Sequence, residues 1–409
     1  SSRFPKGNKY ATFPSVSVAW RLSEEKFMED TRGWLDNAKI RLGWGKVGNQ
    51  NISSNAYLTT MDSGIRYVLG TDPTMYPATI VGTTGNPNLR WETVEDIDFG
   101  IDLSLFNSRL NVTFDLFQKT SHDMLYGKQG MLLLGLSQWM GSVTQNIGEM
   151  RARGWELAIN WRDNVGDFRY DIGLQLSGVQ NKGILFSGDG PILNASNILN
   201  SALIKNEDGQ LISQFYGYKT GGIFQNWGEV LAHSDEHGNL IQPNAQPGDI
   251  KFLDLDNDGK LTDADKRYIG NPYPDLTLGL NMNFYYKNFD LTANFYGTFG
   301  NDIFNVQRNR YSGNGGANVL RGAYEKSWRG EGTSNEYPRL SYNDLNQNWG
   351  TVSDFYVEDG SYMRCKLLTL GYTLPSSFMK DYKLRFYVSA QNLFTITKYT
   401  GMDPEAPFA

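Results

Sequence analysis

Four of the five aspartates within the twelve residues 254–265 form the strongest candidate for chemistry in this sequence. Carboxylates stand where a calcium-binding loop has its ligands, at positions 1, 3, 5 and 12, namely at Asp254, Asp256, Asp258 and Asp265. Gly259 at position 6 permits the sharp turn, and Lys260 at position 7 would contribute its backbone carbonyl. Because the ligand positions of such a loop converge on one hard cation, the spacing predicts a calcium site.

The alternative is a polar turn without a metal, in which the aspartates bond to nearby backbone N–H groups. Position 12 carries Asp265 rather than the usual glutamate, so its bidentate reach is shorter. No helical pattern of EF-hand length flanks the motif. We therefore expect a calcium ion that orders a long loop rather than one that serves as a signal.

Catalytic motifs are absent from the sequence. His233, Ser234 and Asp235 have the residue types of a triad, but chain neighbours do not form the required relay. There is no phosphate-binding loop, dinucleotide fingerprint, nucleophile elbow or paired-cysteine motif, and the single Cys365 excludes an internal disulfide. A formal charge of −6 gives no basic footprint for nucleic acid. We expect a protein that is neither an enzyme nor a nucleic-acid binder.

The clearest structural pattern is a β-hairpin over residues 95–118. Apolar and polar residues alternate along 97–105 and again along 110–116, around a tight turn at Asn107 and Ser108. Successive strand side chains point to opposite faces, so one face is apolar and the other carries carboxylates and amides. A soluble sandwich would bury the apolar face, whereas a membrane barrel would turn it to lipid.

Similar strands recur along the chain, and most are longer than the strands of soluble domains. They are predicted near 10–20, 38–48, 94–106, 109–120, 154–162, 167–178, 275–286, 289–299, 364–374 and 383–395. Short links alternate with long polar ones, which cover 49–93, 121–153, 179–274 and 300–363. Outer-membrane barrels have this parity, with short periplasmic turns and long extracellular loops.

No apolar run approaches the roughly 20 residues of a membrane helix. Membrane insertion would therefore use strands. Aromatic residues near strand ends fit interface girdles, among them Trp20, Trp155, Trp161, Tyr285, Tyr286, Tyr372 and Phe394. The predicted fold class is all-β, a transmembrane antiparallel β-barrel with long extracellular loops. Because the sequence lacks an initiator Met and stops in a loop pattern, we expect it to be a piece of a larger barrel.

A set of ordered motifs carries a family resemblance. They are Lys39-Ile-Arg-Leu-Gly-Trp-Gly-Lys-Val-Gly-Asn-Gln50, Asn86-Pro-Asn-Leu-Arg-Trp-Glu92, Arg153-Gly-Trp-Glu156, Gly248-Asp-Ile-Lys-Phe-Leu-Asp-Leu-Asp-Asn-Asp-Gly259, Ile269-Gly-Asn-Pro272, Asp359-Gly-Ser-Tyr-Met-Arg364 and Ala390-Gln-Asn-Leu-Phe394. In this order they resemble SusC/RagA-type TonB-linked outer-membrane transporters of the Bacteroidetes, over essentially the whole chain.

The resemblance implies that residues 1–409 form the C-terminal portion of a 22-stranded barrel, with the plug domain and the TonB box outside this chain. It also implies a SusD-like surface lipoprotein as partner, energy from TonB, and location in the cell outer membrane. The usual cargo of the family is an oligosaccharide, and some members import peptides.

Loop aromatics could stack on sugar faces, and Arg308 could bind an anionic group. The candidate cargo-binding residues are Trp139, Tyr218, Phe224, Trp227, Arg308, Tyr311 and Trp349. Packing of loop against loop, or against a partner, is the alternative for each aromatic residue, and a solvated charge is the alternative for Arg308.

Two other classes of protein stay open from the residues alone. One is a passive porin or adhesin, and the other is a soluble calcium-dependent carbohydrate-binding β-sandwich.

Overall fold

The structure, a computed structural model, describes residues 1–68, 70–71, 74–129, 142–185, 192–196, 199, 201–310, 318–375 and 382–405. Its strands are β1 Ser15–Arg21, β2 Leu35–Asn49, β3 Thr60–Val68, β4 Met75–Thr83, β5 Glu92–Leu105, β6 Leu110–His122, β7 Leu125–Gln129, β8 Ser142–Asn146, β9 Glu149–Val165, β10 Phe168–Leu185, β11 Ile192–Ser196, β12 Ser201–Asn206, β13 Gln214–Gly217, β14 Thr220–Ile223, β15 Ile250–Phe252, β16 Arg267–Gly270, β17 Leu276–Tyr286, β18 Phe289–Phe299, β19 Asp302–Phe304, β20 Val357–Asp359, β21 Tyr362–Thr373, β22 Arg385–Gln391 and β23 Thr395–Thr397.

Helices are short and few in the described part of the chain. The α-helices are α1 Trp227–Ala232, α2 Gln307–Arg310 and α3 Arg321–Lys326. Single 3₁₀ segments cover Leu22–Glu24, Lys26–Thr31, Asp263–Asp265 and Asp354–Tyr356. Among the described residues, no helix is long and apolar enough to cross a membrane.

The chain divides into two compact units. The first comprises Ser1–Leu157, Gln180–Gly190 and Glu207–Gln210. Its sheet has the order β1-β2-β5-β6-β9, and the described pairs are antiparallel. The hairpins β3–β4 and β7–β8 lie within its two long connections. Hence both long polar links of this unit contain strands of their own.

The second unit comprises Ala158–Val179, Pro191–Asn206 and Leu211–Ala409. Its sheet follows the order β9-β10-β17-β18-β21-β22, and β23 also pairs with β21. The long connections of this unit form smaller sheets, β11-β12-β13-β16, β14-β15 and β19-β20. Their main core joins Phe215, Ile269, Phe304, Val352 and Tyr356, each at most 8% exposed.

The strand predictions agree with the structure. All ten predicted long strands are present, and β17 and β18 match their expected bounds to within one residue. The largest single difference is at the end of β10, which continues to Leu185 instead of ending near residue 178. At the ends of the chain, β1 begins only at Ser15 and β22 ends at Gln391. β9 and β10 are longer than expected, at 17 and 18 residues.

The register places the short turns of the second unit at one end of its strands. Phe168 pairs with Tyr286, and Tyr286 pairs with Phe289, so the turns holding Asn164 and Asn288 lie together. The long connections leave from the opposite end, where Leu276 pairs with Phe299. Asp256 and Trp349 belong to those connections, as the parity of link lengths predicts.

The main sheet of the second unit has two chemically different faces. Its apolar face begins with a row of five register-paired aromatic residues at the short-turn end, namely Phe168, Tyr286, Phe289, Tyr372 and Phe386. Further rows are aliphatic, such as Leu174 beside Leu280 and Phe295. From Phe168 to Leu176 the strand extends about 27 Å, which corresponds to a height of about 21 Å at the usual strand tilt of about 40° and covers most of the apolar band of an outer-membrane barrel.

Candidate cation loop and cargo-facing residues

The aspartate-rich loop brings three of its four predicted carboxylates together. Oxygen atoms of Asp254, Asp256 and Asp265 lie within 4.8 Å of one another. Asp258 is not part of this group, and its Oδ1 accepts the Lys260 N–H at 2.9 Å. The structure therefore gathers positions 1, 3 and 12, while position 5 bonds along its own turn.

The side-chain carboxylate of Asp265 holds the loop together by accepting backbone N–H groups of other loop residues. Its carboxylate accepts the N–H groups of Leu255 at 2.7 Å and Thr262 at 2.8 Å, with a longer contact to Asp256 N at 3.4 Å. Burial alone would raise the pKa of this carboxyl, but the donated N–H groups outweigh it and lower the pKa. Asp265 thus stays anionic inside a fully buried position.

The two other carboxylates retain capacity for a ligand. Asp254 uses Oδ2 to accept the Gly259 N–H at 2.8 Å, while its buried Oδ1 has no hydrogen-bond partner. Burial, followed by the charges of Asp258 and Asp265, raises the pKa of Asp256. An unpaired buried oxygen beside a carboxyl that resists ionisation is the electrostatic situation that a bound divalent cation relieves.

The loop packs directly against the segment that precedes it. Gly259 has a φ of 81°, which favours glycine. A Cβ there would lie 2.6 Å from Cβ of Asp235, so glycine is also required by the close approach. Asp235 in turn caps its own turn by accepting the N–H groups of His237 and Asn239. The triad-like residues therefore form a structural turn.

Two of the predicted cargo-binding aromatics are instead buried. Phe224 is 1% exposed and clusters with Val230 and Ala245. Trp349 is also 1% exposed, with its ring 5.5 Å from that of Phe355. These two expectations are corrected because neither ring has a face open to cargo. Their positions match the alternative of loop-against-loop packing.

The remaining described candidates differ in how open they are. Trp227, the first residue of α1, is 57% exposed and has an available ring. Tyr218 is half-buried, with Phe252 5.9 Å away and the Lys266 ammonium 5.4 Å from its ring centre. Trp139 and Tyr311 lie outside the described residues. Trp227 is thus the described aromatic candidate best placed to contact another molecule.

Arg308 has partners within its own unit. Its Nε lies 2.9 Å from Oε1 of Glu358, and the guanidinium stacks 5.3 Å from the Tyr337 ring and 5.1 Å from the Phe355 ring. Its side chain is only 17% exposed. The expected role in binding an anionic cargo is corrected, because this charge is neutralised by Glu358 and covered by aromatic rings.

Sequence reasoning missed the polar core of the long connections. Asp249 is fully buried and pairs with Arg339 at 2.7 Å, while Asn348 donates to the same carboxylate at 3.0 Å. Gln242 and Asn346 satisfy the Ile250 carbonyl nearby. The partners of Asp249 lie far away along the chain, at spacings of 90 and 99 residues, so no local pattern signals them.

The polar face of the first unit contains an ion-pair network that bridges three strands. Arg41 on β2 donates to Asp102 at 2.9 Å and to Asp115 at 2.7 Å. To reach Asp115 on β6 it passes over Gly100 on β5, which is the register partner of both. A Cβ at Gly100 would lie 2.5 Å from Nη2 of Arg41. The glycine therefore leaves space for the guanidinium.

The second unit repeats this arrangement on different strands. Arg385 on β22 reaches across β21 to Asp290 on β18, with bonds of 2.5 and 3.0 Å. A Cβ at Gly371, between them, would lie 2.5 Å from both the guanidinium and the carboxylate. Each unit thus has an arginine that crosses a glycine to bind an aspartate two strands away.

Sheets with one apolar and one ion-paired face, long strands and alternating link lengths define the outer-membrane β-barrel class. Comparisons agree. Residues 1–201 match the family model described as TonB dependent receptor-like, beta-barrel. The TonB-dependent receptor P3 of Formosa agariphila is 34% identical, with 100% of this chain and 40% of that protein covered. The TonB-dependent receptor SusC of Bacteroides thetaiotaomicron is 28% identical, with 99% of this chain and 39% of that protein covered.

Solved structures show the same fold. The RagAB peptide transporter matches with a TM-score of 0.74 at 23% identity, covering 99% of this chain and 42% of that one. The RagAB peptide importer in its closed-closed state matches with a TM-score of 0.76 at 24% identity, with the same coverage. The chain spans about two fifths of the length of the curated relatives it matches.

The chain therefore belongs to the TonB-dependent receptors and forms part of their β-barrel, which lies in the outer membrane. In such a barrel the apolar face meets lipid and the polar face lines the lumen. Short turns are periplasmic and long connections extracellular. The total of 22 strands in the complete barrel stays a prediction.

Proposed function

We propose that this chain is the wall and extracellular loop region of a TonB-dependent importer that takes up oligosaccharides together with a SusD-like surface lipoprotein. The observation that carries the proposal is a sheet with one apolar face and one face of ion pairs and amides. It occurs in a chain that is 28% identical to SusC over 99% of its length. In this proposal the protein supplies a route and binding groups for its cargo rather than a reactive centre.

Peptide import is the second candidate function. The favouring observation is the fold match to the RagAB peptide transporter. Both candidates share the mechanism that the family implies: cargo is held between the extracellular loops and the lipoprotein, and TonB transmits energy to a plug. The exposed Trp227 on α1 would contact either the cargo or the lipoprotein.

Uptake by whole cells separates the two candidates. Cells expressing the full-length protein with its lipoprotein are compared with deletion cells for import of labelled neutral oligosaccharides and of labelled peptides of similar mass. Glycan import that stops when a protonophore removes the energy source supports the proposal. Import of peptides alone would transfer the assignment to the peptide candidate, and energy-independent import of both would indicate a passive pore.

A calcium ion in the aspartate-rich loop is also part of the proposal. Asp254 and Asp256 would provide ligand oxygens, with Asp265 completing the negative site and Asp258 and the Lys260 carbonyl as further candidates. The ion would hold the loop rigid against the turn at Asp235, next to Gly259. Its chemistry is structural, because it neutralises carboxylates that otherwise repel one another.

Titration calorimetry of the full-length protein with calcium tests this part. We expect binding that Asp256→Ala weakens at least tenfold, since a ligand oxygen and a charge are lost. Asp263→Ala is the matched control, because that carboxylate points away to Lys266. Equal affinity in both variants, or no calcium binding by the parent protein, would leave a metal-free turn as the correct description.

A further inference from the structure

The connection between β1 and β2 is built differently from the neighbouring turn between β5 and β6. That turn is tight, whereas residues 22–34 contain the 3₁₀ segments Leu22–Glu24 and Lys26–Thr31. Both connections lie at the periplasmic end of the strands, because Leu35 pairs with Leu105. We refer to residues 22–34 as the β1–β2 segment. Its 3₁₀ turns make it a folded part of the structure rather than an open loop.

The β1–β2 segment folds back onto the apolar face of the first unit. Trp20 lies on that face, because its register partner Ile40 is itself paired with Ile101. The Trp20 ring is 6.4 Å from the ring of Phe27, and its Nε1 donates to Oε1 of Glu25 at 2.9 Å. Phe27 and Glu25 are therefore on the outward side of β1 and not in the lumen.

The β1–β2 segment also covers the periplasmic end of β2. Its first 3₁₀ turn contacts that strand. Leu35, the first residue of β2, lies on the apolar face opposite Leu105 and is buried. Leu42, further along the same strand on the same face, is exposed. The segment thus takes the place of lipid beside Leu35, and its own outer surface faces outward there.

Two sides of the β1–β2 segment have opposite chemistry. Lys26, Glu29 and Arg32 recur at every third residue, which places them along one side of the second 3₁₀ segment. All three are exposed, and the Arg32 guanidinium lies 4.0 Å from the Glu29 carboxylate. Phe27 points to another side, against Trp20, and is 66% exposed. An open aromatic ring beside a charged stripe is typical of a segment that lies in a membrane interface.

We propose that the β1–β2 segment is an interfacial anchor, which inserts the Phe27 ring into the periplasmic leaflet of the outer membrane. The partner of this surface is phospholipid. The argument is continuity: the apolar face of such a barrel meets lipid, and Phe27 extends that face beyond the last residue of β1. This membrane contact goes beyond the proposed function and is independent of the cargo.

The polar groups of the anchor suit this position. Glu25 accepts the indole N–H of Trp20, so that ring has no unpaired donor to carry into an apolar layer. The charged ends of Lys26, Glu29 and Arg32 can reach the headgroups and water while the segment stays close to the acyl chains. Insertion of Phe27 therefore leaves the charges of the segment hydrated.

Spin labelling of the full-length protein in phospholipid vesicles tests the anchor. One label is attached in Phe27→Cys and, in a separate protein, one in Glu29→Cys, with every other accessible cysteine replaced; Cys365 is buried and stays. Collision rates of each label with oxygen and with a nickel chelate are measured. We expect the oxygen-to-nickel ratio to be about fivefold higher at position 27, because oxygen dissolves among acyl chains and the hydrated chelate does not.

Glu29→Cys is the matched control, since it lies two residues away in the same 3₁₀ segment but on the charged side. Phe27 is largely exposed, so a label there displaces no buried side chain. Equal ratios at the two positions would place the Phe27 side chain in water and overturn the proposal. Slow collisions with both reagents at position 27 would also overturn it, because another part of the protein beside the edge strand β1 would then cover Phe27.

Discussion

Gly100 should be essential to the ion-pair network of the first unit, although it contacts no ligand and has ordinary backbone geometry. Replacing it by alanine places a Cβ about 2.5 Å from Nη2 of Arg41, which is closer than real Cβ contacts occur. The guanidinium must then move away from Asp115, and the hydrogen bond of 2.7 Å between Arg41 and Asp115 is lost. A hydrogen bond to a charged group contributes about 1.5–3 kcal/mol, and partial exposure reduces this to about 1–2 kcal/mol.

Urea unfolding of the full-length protein in lipid vesicles, followed by tryptophan fluorescence, measures the loss. Gly43→Ala is the matched control, because a Cβ there meets only Cβ of Asp98, at 3.9 Å. Asp115→Asn completes a double-mutant cycle with Gly100→Ala. The two changes should be less than additive, since both remove the same bond. Full additivity, or equal stability of Gly100→Ala and Gly43→Ala, would refute the reasoning.

Three further predictions concern the lipid face and the extracellular loops. Leu280→Arg should cost about 2–4 kcal/mol in the vesicle assay, against little for Asn281→Arg on the lumen face; equal costs would contradict the face assignment. Because the pKa of Asp265 is lowered, its stabilising contribution is present above the ordinary value of 3.8 and is lost as pH falls through the folded value. Asp265→Asn should therefore remove the acid-induced loss of hydrogen-exchange protection around residues 255–265, and an unchanged pH profile would contradict this. Arg339→Gln leaves Asp249 charged, buried and unpaired, so the free energy of unfolding of the extracellular loops should fall by about 3–5 kcal/mol. Limited proteolysis should then cleave these loops faster than in the parent protein, and equal resistance would show that the ion pair is dispensable.

The long strands can be predicted from the sequence because each is governed by a local period of two. The hairpin of β17 and β18 illustrates this: every second residue is apolar, and lipid and lumen require that alternation at each position. The calcium-loop spacing is also a local signal, and it locates three carboxylates that the fold brings together. Features confined to one strand or one loop can thus be recognised in the amino-acid sequence itself.

Contacts between distant segments cannot be predicted in this way. The sequence predicts a cargo role for Phe224 and Trp349 because both residues lie in loops. It does not show that those loops pack together and bury both side chains. The Arg41 network depends on register, which sets Gly100 between two charged partners. A one-residue shift of β5 would remove the glycine from that point and abolish the crossing.

The aromatic row at the periplasmic end has a consequence for how this wall sits in the bilayer. Its five residues are direct register partners, so the row runs along the hydrogen bonds and spans four strand spacings, about 19 Å. Strands of outer-membrane barrels tilt by about 40°, so a line drawn across them is inclined by the same angle. Phe168 and Phe386 must then differ in depth by about 12 Å, roughly twice the thickness of one headgroup layer. The five aromatic residues therefore do not lie at one depth in the membrane: one end of the row reaches the headgroups and the other lies among acyl chains. The difference in depth between its two ends depends directly on the tilt of the strands.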